Sequence, residues 1–208
     1  MRLVAERSTV PVLKHDKGLC HLFVDEGADL DMAVAVAVNA KAQRVSVCNS
    51  LETLLVHAAI APALLPRLAA RLAEVPVEVR ADERARALMP GARPAEPADW
   101  DAEYLDYILA VRVVDDLDAA VAHIRRHGSG LAESIVTRDI RRARRFTQEV
   151  DAAAVLVNAS TRLVDGSQFG LGAEMGISTS RVHARGPVGV RELTTTKFVV
   201  WGDGHIRE

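Results

Sequence analysis

Asn39-Ala-Lys-Ala-Gln-Arg-Val-Ser-Val-Cys48-Asn-Ser-Leu-Glu-Thr-Leu-Leu-Val-His57 joins two segments of different period. Upstream, residues 29–42 read as helical, and Asp25-Glu-Gly-Ala-Asp29 offers helix caps with acids near the positive end of the dipole. Leu30, Val34 and Val38 then fall on one stripe, and Ala33 and Ala37 on another. Val34, Val36 and Val38 also alternate with alanines as a strand would, but the cap decides for a helix. A helix apolar nearly all round is a buried one. Downstream, residues 54–56 (Leu-Leu-Val) read as a strand, and upstream of the helix residues 19–24 (Leu-Cys-His-Leu-Phe-Val) read as another, fully buried. Cys48 therefore sits at a helix-to-strand junction. Rigid elements on both sides can hold a thiol there toward a cleft, and positioning supplies much of catalysis. A buried structural cysteine is the alternative.

The same alternation continues outward. Residues 60–74 predict an amphipathic helix with Leu64, Leu65, Leu68 and Leu72 facing inward. Residues 75–79 predict a strand, 82–88 a short helix, and 108–114 a strand. A helix over 117–126 ends at His127-Gly128. A strand over 134–137, an arginine-rich helix over 139–150 and a strand over 154–158 follow. Residues 9–13, with Pro11, read as an edge or entry strand. Residues 89–99 hold Pro90, Gly91, Pro94 and Pro97 and read as a connector. Residues 161–176 are glycine-rich, as active-site loops often are, and 194–201 form a β-prone run. The pattern predicts an α/β fold: a largely parallel sheet with helices on both faces.

The chain has 208 residues, enough for one domain with a sizeable core. Apolar residues make up 49 % but aromatic residues only 4 %, so that core is aliphatic. The formal net charge of −2 gives no electrostatic footprint for nucleic acid or an anionic membrane. No run approaches the roughly 18 apolar residues of a membrane span, and the N-terminus lacks a signal-peptide apolar region. Two cysteines with no evident pairing predict a reducing, cytoplasmic setting. The histidines at 15, 21, 57, 123, 127 and 183 show no ligand spacing with the cysteines, so no metal site is expected. Arginines 138, 141, 142, 144 and 145 read as a solvated helix face.

Several segments resemble one family, in order along the chain. They are the Cys48 stretch, Val10-Pro-Val-Leu-Lys-His-Asp-Lys-Gly-Leu-Cys-His21, Asp101-Ala-Glu-Tyr-Leu-Asp106, Val157-Asn-Ala-Ser-Thr-Arg162, Phe169-Gly-Leu-Gly-Ala-Glu-Met-Gly-Ile-Ser178 and Ala184-Arg-Gly-Pro-Val-Gly189. They resemble the gamma-glutamyl phosphate reductases (glutamate-5-semialdehyde dehydrogenases) of the aldehyde dehydrogenase superfamily, in the C-terminal half of the usual polypeptide. The resemblance implies an aldehyde dehydrogenase-like catalytic domain over 9–185 and a C-terminal β tail over 186–208 that pairs with a neighbouring subunit in a homo-oligomer. It also implies that the family's N-terminal cofactor-binding domain lies outside this chain.

The implied reaction is NADPH-dependent reduction of L-glutamyl 5-phosphate to L-glutamate 5-semialdehyde, with release of phosphate, in proline biosynthesis. Cys48 would be the nucleophile, forming a thioester. A thiolate both attacks well and leaves well, which serves both halves of such a reaction. Cys20, inside a strand, would be structural. Hydrolytic relatives carry Glu-Leu-Gly-Gly-Lys where this chain has Lys14-His-Asp-Lys-Gly18, so the water-activating glutamate is missing, as a reductase permits. Glu103 would touch the nicotinamide ribose. Asn158, Ser160 and Arg162 would bind substrate, Ser160 and Arg162 meeting its phosphate or α-carboxylate; they follow a strand, and α/β sheets bind ligands at the carboxyl ends of strands. The run Gly170-Leu-Gly-Ala-Glu-Met-Gly176 does not fit a dinucleotide fingerprint.

In Gly128-Ser-Gly-Leu-Ala-Glu133, Leu131-Ala132 replaces a polar pair of the family, His followed by Ser or Thr. With the cofactor half outside it, the chain alone is expected to bind NADPH weakly or not at all and to show no turnover. The alternative is a non-catalytic relative serving as an oligomerisation or interaction domain.

Overall fold

A computed structural model describes residues 2–208. In chain order the elements are α1 (Arg2–Arg7), β1 (Cys20–Val24), α2 (Leu30–Ala42), β2 (Leu51–His57), α3 (Ala61–Leu72), β3 (Glu78–Ala81), α4 (Glu83–Arg86), β4 (Arg93–Pro94), β5 (Ile108–Val114), α5 (Leu117–His127), β6 (Ala132–Val136), α6 (Ile140–Glu149), β7 (Ala154–Val157), β8 (Gly176–Ser178) and β9 (Gly186–Val188). Strands β1 to β7 form one sheet in the order β4-β3-β5-β2-β1-β6-β7, and every pairing in it is parallel. β8 and β9 make a separate antiparallel pair.

The period of two sets the layers. Leu22 and Val24 of β1, with Leu54 and Val56 of β2, face α2 and α3. Phe23 and Leu55 point the other way, onto Val121 and Ile124 of α5 and Phe146 of α6. Because both faces are covered, β1 and β2 are buried at every position, as central parallel strands are. Each fully buried Leu contributes about 1.5–3 kcal/mol. The caps do what their residue types allow: Asp29, Asp82, Asp116 and Asp139 each accept a backbone N–H in the first turn of the helix they open.

Several expectations need correcting. α2 buries its alanine stripe, Ala33, Ala37 and Ala40, while Val34, Val36 and Val38 are half-buried. Small side chains let the helix sit close to the sheet, so the valines ride on its flanks. Residues 9–13 form no strand. The chain there is held instead by Ser180, whose Oγ accepts from Lys14 N at 3.2 Å, and by Thr179 N, which donates to Lys14 O at 3.0 Å. The strand placed at 75–79 starts only at Glu78. Residues 194–201 also form no strand: the C-terminal β element is the three-residue β9, and beyond it Phe198 and Trp201 are 98 % and 94 % exposed. High β propensity without a partner strand makes no ladder. Among the described residues no helix is long and apolar enough to cross a membrane.

Candidate active site

Cys48 lies in the turn between α2 and β2, closed by Ser50 N donating to Val47 O at 3.1 Å. Three other parts of the chain clamp that turn. Gly18 lies beneath it: a Cβ there would stand 2.1 Å from Cys48 O and 2.5 Å from Cys48 Cα. Glu103 fixes Gly18 by accepting its N–H at 2.8 Å. Finally, the 3₁₀ turn Thr161–Leu163 locks the neighbouring Asn49. Thr161 Oγ1 donates to Asn49 O at 2.7 Å, Asn49 Nδ2 donates to Val164 O at 2.8 Å, and the Arg162 guanidinium bonds Asn49 Oδ1. Arg162 Nε also donates to Gln43 Oε1 at 2.8 Å.

Cys48, Glu103 and Arg162 therefore lie around one turn. Ser160 stands one step back: its Oγ caps the 3₁₀ turn, accepting Arg162 N at 3.3 Å. Asn158 is elsewhere. Its amide is spent on Thr137, accepting the backbone N–H at 2.9 Å and donating to the carbonyl at 3.0 Å. Asn158 also adopts φ 55°, the left-handed conformation asparagine tolerates. The chain reverses there and runs back along the sheet, passing Ser134, whose Oγ donates to Ala159 O at 2.7 Å, and reaching Cys20 and Ala132 through Val164. This reversal corrects the reason given for the site. The residues gather at the amino ends of the strands, and the carboxyl-end rule for open α/β sheets does not describe them.

Burial pushes the Cys48 thiol up, the charge of Glu174 adds to that, and Arg162 pulls the other way. Burial pushes Cys20 higher still, with Glu133 adding to it. The turn therefore holds a thiol whose proton must be removed before it attacks, and Glu174 and Glu103 are the carboxylates whose fields reach it. Glu174 comes from the glycine-rich loop and is anchored by Gly166 N at 2.9 Å. It and Asn49 lie in segments that resemble the family, Phe169 to Ser178 and the Cys48 stretch, but neither residue has an expected role there.

Leu131 and Ala132, standing where the family has a polar pair, are fully buried with Cys20 and Val164, and Cys48 packs on this small apolar cluster. The arginine face of α6 is paired with acids: Arg142 Nε with Asp25 at 2.8 Å, Arg145 with Asp118 and Glu149, and Arg138 with Asp29. Among the described residues no group of three His, Cys, Asp or Glu could hold a metal. His21 is taken by Glu133 at 2.9 Å.

The aldehyde dehydrogenase family profile matches residues 100–199. The gamma-glutamyl phosphate reductase of Carboxydothermus hydrogenoformans is 58 % identical over 207 residues, spanning 100 % of this chain and 50 % of that protein. The chain is similar along its whole length to half of a gamma-glutamyl phosphate reductase, and over residues 100–199 to the aldehyde dehydrogenase family. The gamma-glutamyl phosphate reductase of Geobacter metallireducens is 55 % identical over 208 residues, 100 % of this chain and 50 % of that protein. The crystal structure of the gamma-glutamyl phosphate reductase from Thermotoga maritima superposes with a TM-score of 0.93 at 54 % identity, over 100 % of this chain and 50 % of that one. The chain thus spans about half the length of the curated relatives it matches, and the resemblance to their C-terminal half stands.

Against this superfamily, the residues around Cys48 do not by themselves make a dinucleotide site. One oxygen of Glu103 is held by Gly18, which leaves a single oxygen for a ribose, and a pyrophosphate needs a cradle of backbone amides at a helix N-terminus.

Alkylation is expected to separate the two thiols. Cys48 is half-buried and Cys20 fully buried, so limited iodoacetamide followed by peptide mapping should modify Cys48 first. Equal or preferential modification of Cys20 would remove Cys48 as the reactive thiol.

Proposed function

We propose that this chain supplies the thiol site of an NADPH-dependent reduction of L-glutamyl 5-phosphate to L-glutamate 5-semialdehyde, with release of phosphate, in proline biosynthesis. The observation that carries the reading is the clamped Cys48 turn, in a chain 58 % identical along its length to a gamma-glutamyl phosphate reductase. Cys48 Sγ, once deprotonated, attacks the acyl carbon; the carbon–oxygen bond to phosphate breaks and a thioester forms. Glu174 or Glu103 takes the thiol proton. Arg162, already at Asn49, offers a guanidinium to the phosphate or the α-carboxylate of the substrate. A nicotinamide cofactor supplies the two electrons of the overall reduction. The exposed tail beyond β9, with Phe198, Val200 and Trp201, is the segment through which copies associate.

The test is run in the reverse direction, with glutamate semialdehyde, phosphate and NADP. The chain alone should show no turnover. A separately produced N-terminal half of a close relative should restore it in trans, and Cys48→Ala should abolish the restored activity. Robust turnover by the 208 residues alone, or rescue that survives Cys48→Ala, would overturn this reading.

A further inference from the structure

The chain has two cysteines, and the fold brings them together although 27 residues separate them in sequence. Cys20 opens β1, next to the start of β2, and its Sγ lies 3.3 Å from the carbonyl oxygen of Cys48. Cys48 packs on the cluster that holds Cys20, with Leu131, Ala132 and Val164. Gly18, two residues before Cys20, sits directly against the Cys48 backbone, so the turn rests on the entry to β1 with nothing between them.

We propose that Cys20 is a resolving thiol for Cys48, closing a reversible intramolecular disulfide when a peroxide oxidises Cys48. The proposal rests on Cys48 being the reactive thiol. In the first step the Cys48 thiolate attacks one peroxide oxygen, the O–O bond breaks, and the released hydroxide leaves as water, giving a sulfenic acid. In the second, the Cys20 sulfur attacks the Cys48 sulfur, the S–O bond breaks, and hydroxide leaves as water with the proton of Cys20. Two electrons pass from the two thiols to the peroxide. An external dithiol returns them. Burial works against the ionisation of Cys20, so proximity drives the second step. The consequence is protection: the sulfenic acid is removed before further peroxide carries it to sulfinic acid, a step that dithiols do not reverse.

The experiment treats the full chain, dilute, with excess hydrogen peroxide and maps peptides without reduction. The expected product links the Cys20 and Cys48 peptides, two hydrogens lighter than their sum, in a yield independent of protein concentration. The free-thiol titre should fall from two to none and return to two with dithiothreitol. In Cys20→Ala the same treatment should drive Cys48 to sulfinic acid that dithiothreitol does not recover. If that variant does not fold, the map of the unmodified chain decides alone. Sulfinic acid at Cys48 of the unmodified chain, with Cys20 still reduced, would overturn the resolving role and leave Cys48 as the reactive thiol. Oxidation of Cys20 ahead of Cys48 would overturn both.

Discussion

Gly18→Ala is expected to destabilise the fold by about 3–5 kcal/mol and to erase the preferential alkylation of Cys48. The added methyl carbon would fall 2.1 Å from Cys48 O, 2.5 Å from its Cα and 2.6 Å from its carbonyl carbon. All three are backbone atoms, so no flexible side chain can swing aside. Moving Cys48 means breaking the bonds that Asn49 makes to Thr161 and Val164 at 2.7 and 2.8 Å. Moving Gly18 means giving up its N–H bond to Glu103 at 2.8 Å. The sign is informative, because a glycine replaced by alanine without strain usually gains about 0.4–1 kcal/mol from the unfolded state. Urea unfolding gives the stability, and alkylation followed by mapping gives the reactivity. A variant within about 1 kcal/mol of the parent, with Cys48 still labelled first, would show that the turn does not depend on this contact.

The second large effect lies beneath the same turn. Lys41 of α2 and Glu52 of β2 pair at 2.7 Å with both side chains fully buried, and Glu52 also accepts Leu105 N at 3.3 Å. Burial pushes the Glu52 carboxyl up to about 7 and the Lys41 ammonium down. A carboxyl raised on folding keeps its proton longer in the native state. Its contribution to stability therefore declines as pH rises from about 4.5, the unfolded value, to about 7. Glu52→Gln should remove that slope and leave the Lys41 charge buried without its partner, at a cost of about 3–5 kcal/mol near pH 7. It should also introduce the opposite slope, because a depressed lysine regains stability as pH climbs toward its unfolded value of 10.5. Lys41→Met together with Glu52→Gln should recover a large part of the loss. Strictly additive single and double variants, measured as urea midpoints across pH, would mean that the pair is not coupled.

Much of the fold was legible because the strong signals were local. The Leu64, Leu65, Leu68 and Leu72 stripe, the aspartate caps, and the largely apolar run across residues 19–24 each report their own surroundings, and the helices and strands formed there. Cys48, Glu103 and Arg162 were legible through family motifs. What failed depended on distant partners. Nothing local says that residues 194–201 find no neighbouring strand within this chain. Nothing local says that Asn158, at the end of β7, would reverse the chain and return the residues after it to the amino ends of the strands. The polar residue there was read as a ligand because of where strands usually bind ligands, while its amide was already committed to Thr137. Glu174 was overlooked for a related reason: its loop resembles the family and fails as a dinucleotide motif, and neither feature singles out one carboxylate.

That reversal has a consequence for the order in which the chain is made. Cys48 leaves the ribosome together with β1 and β2. Thr161 and Val164, which lock Asn49 beside it, are synthesised more than a hundred residues later. At about 5–20 residues per second, the nascent chain carries this thiol for several seconds before the residues that hold its turn exist. Contacts so far apart in sequence form slowly and late even in a complete chain. For that interval Cys48 is an ordinary exposed cysteine, open to any electrophile or mixed disulfide, and it acquires its particular environment only when translation has nearly reached the end of the sheet.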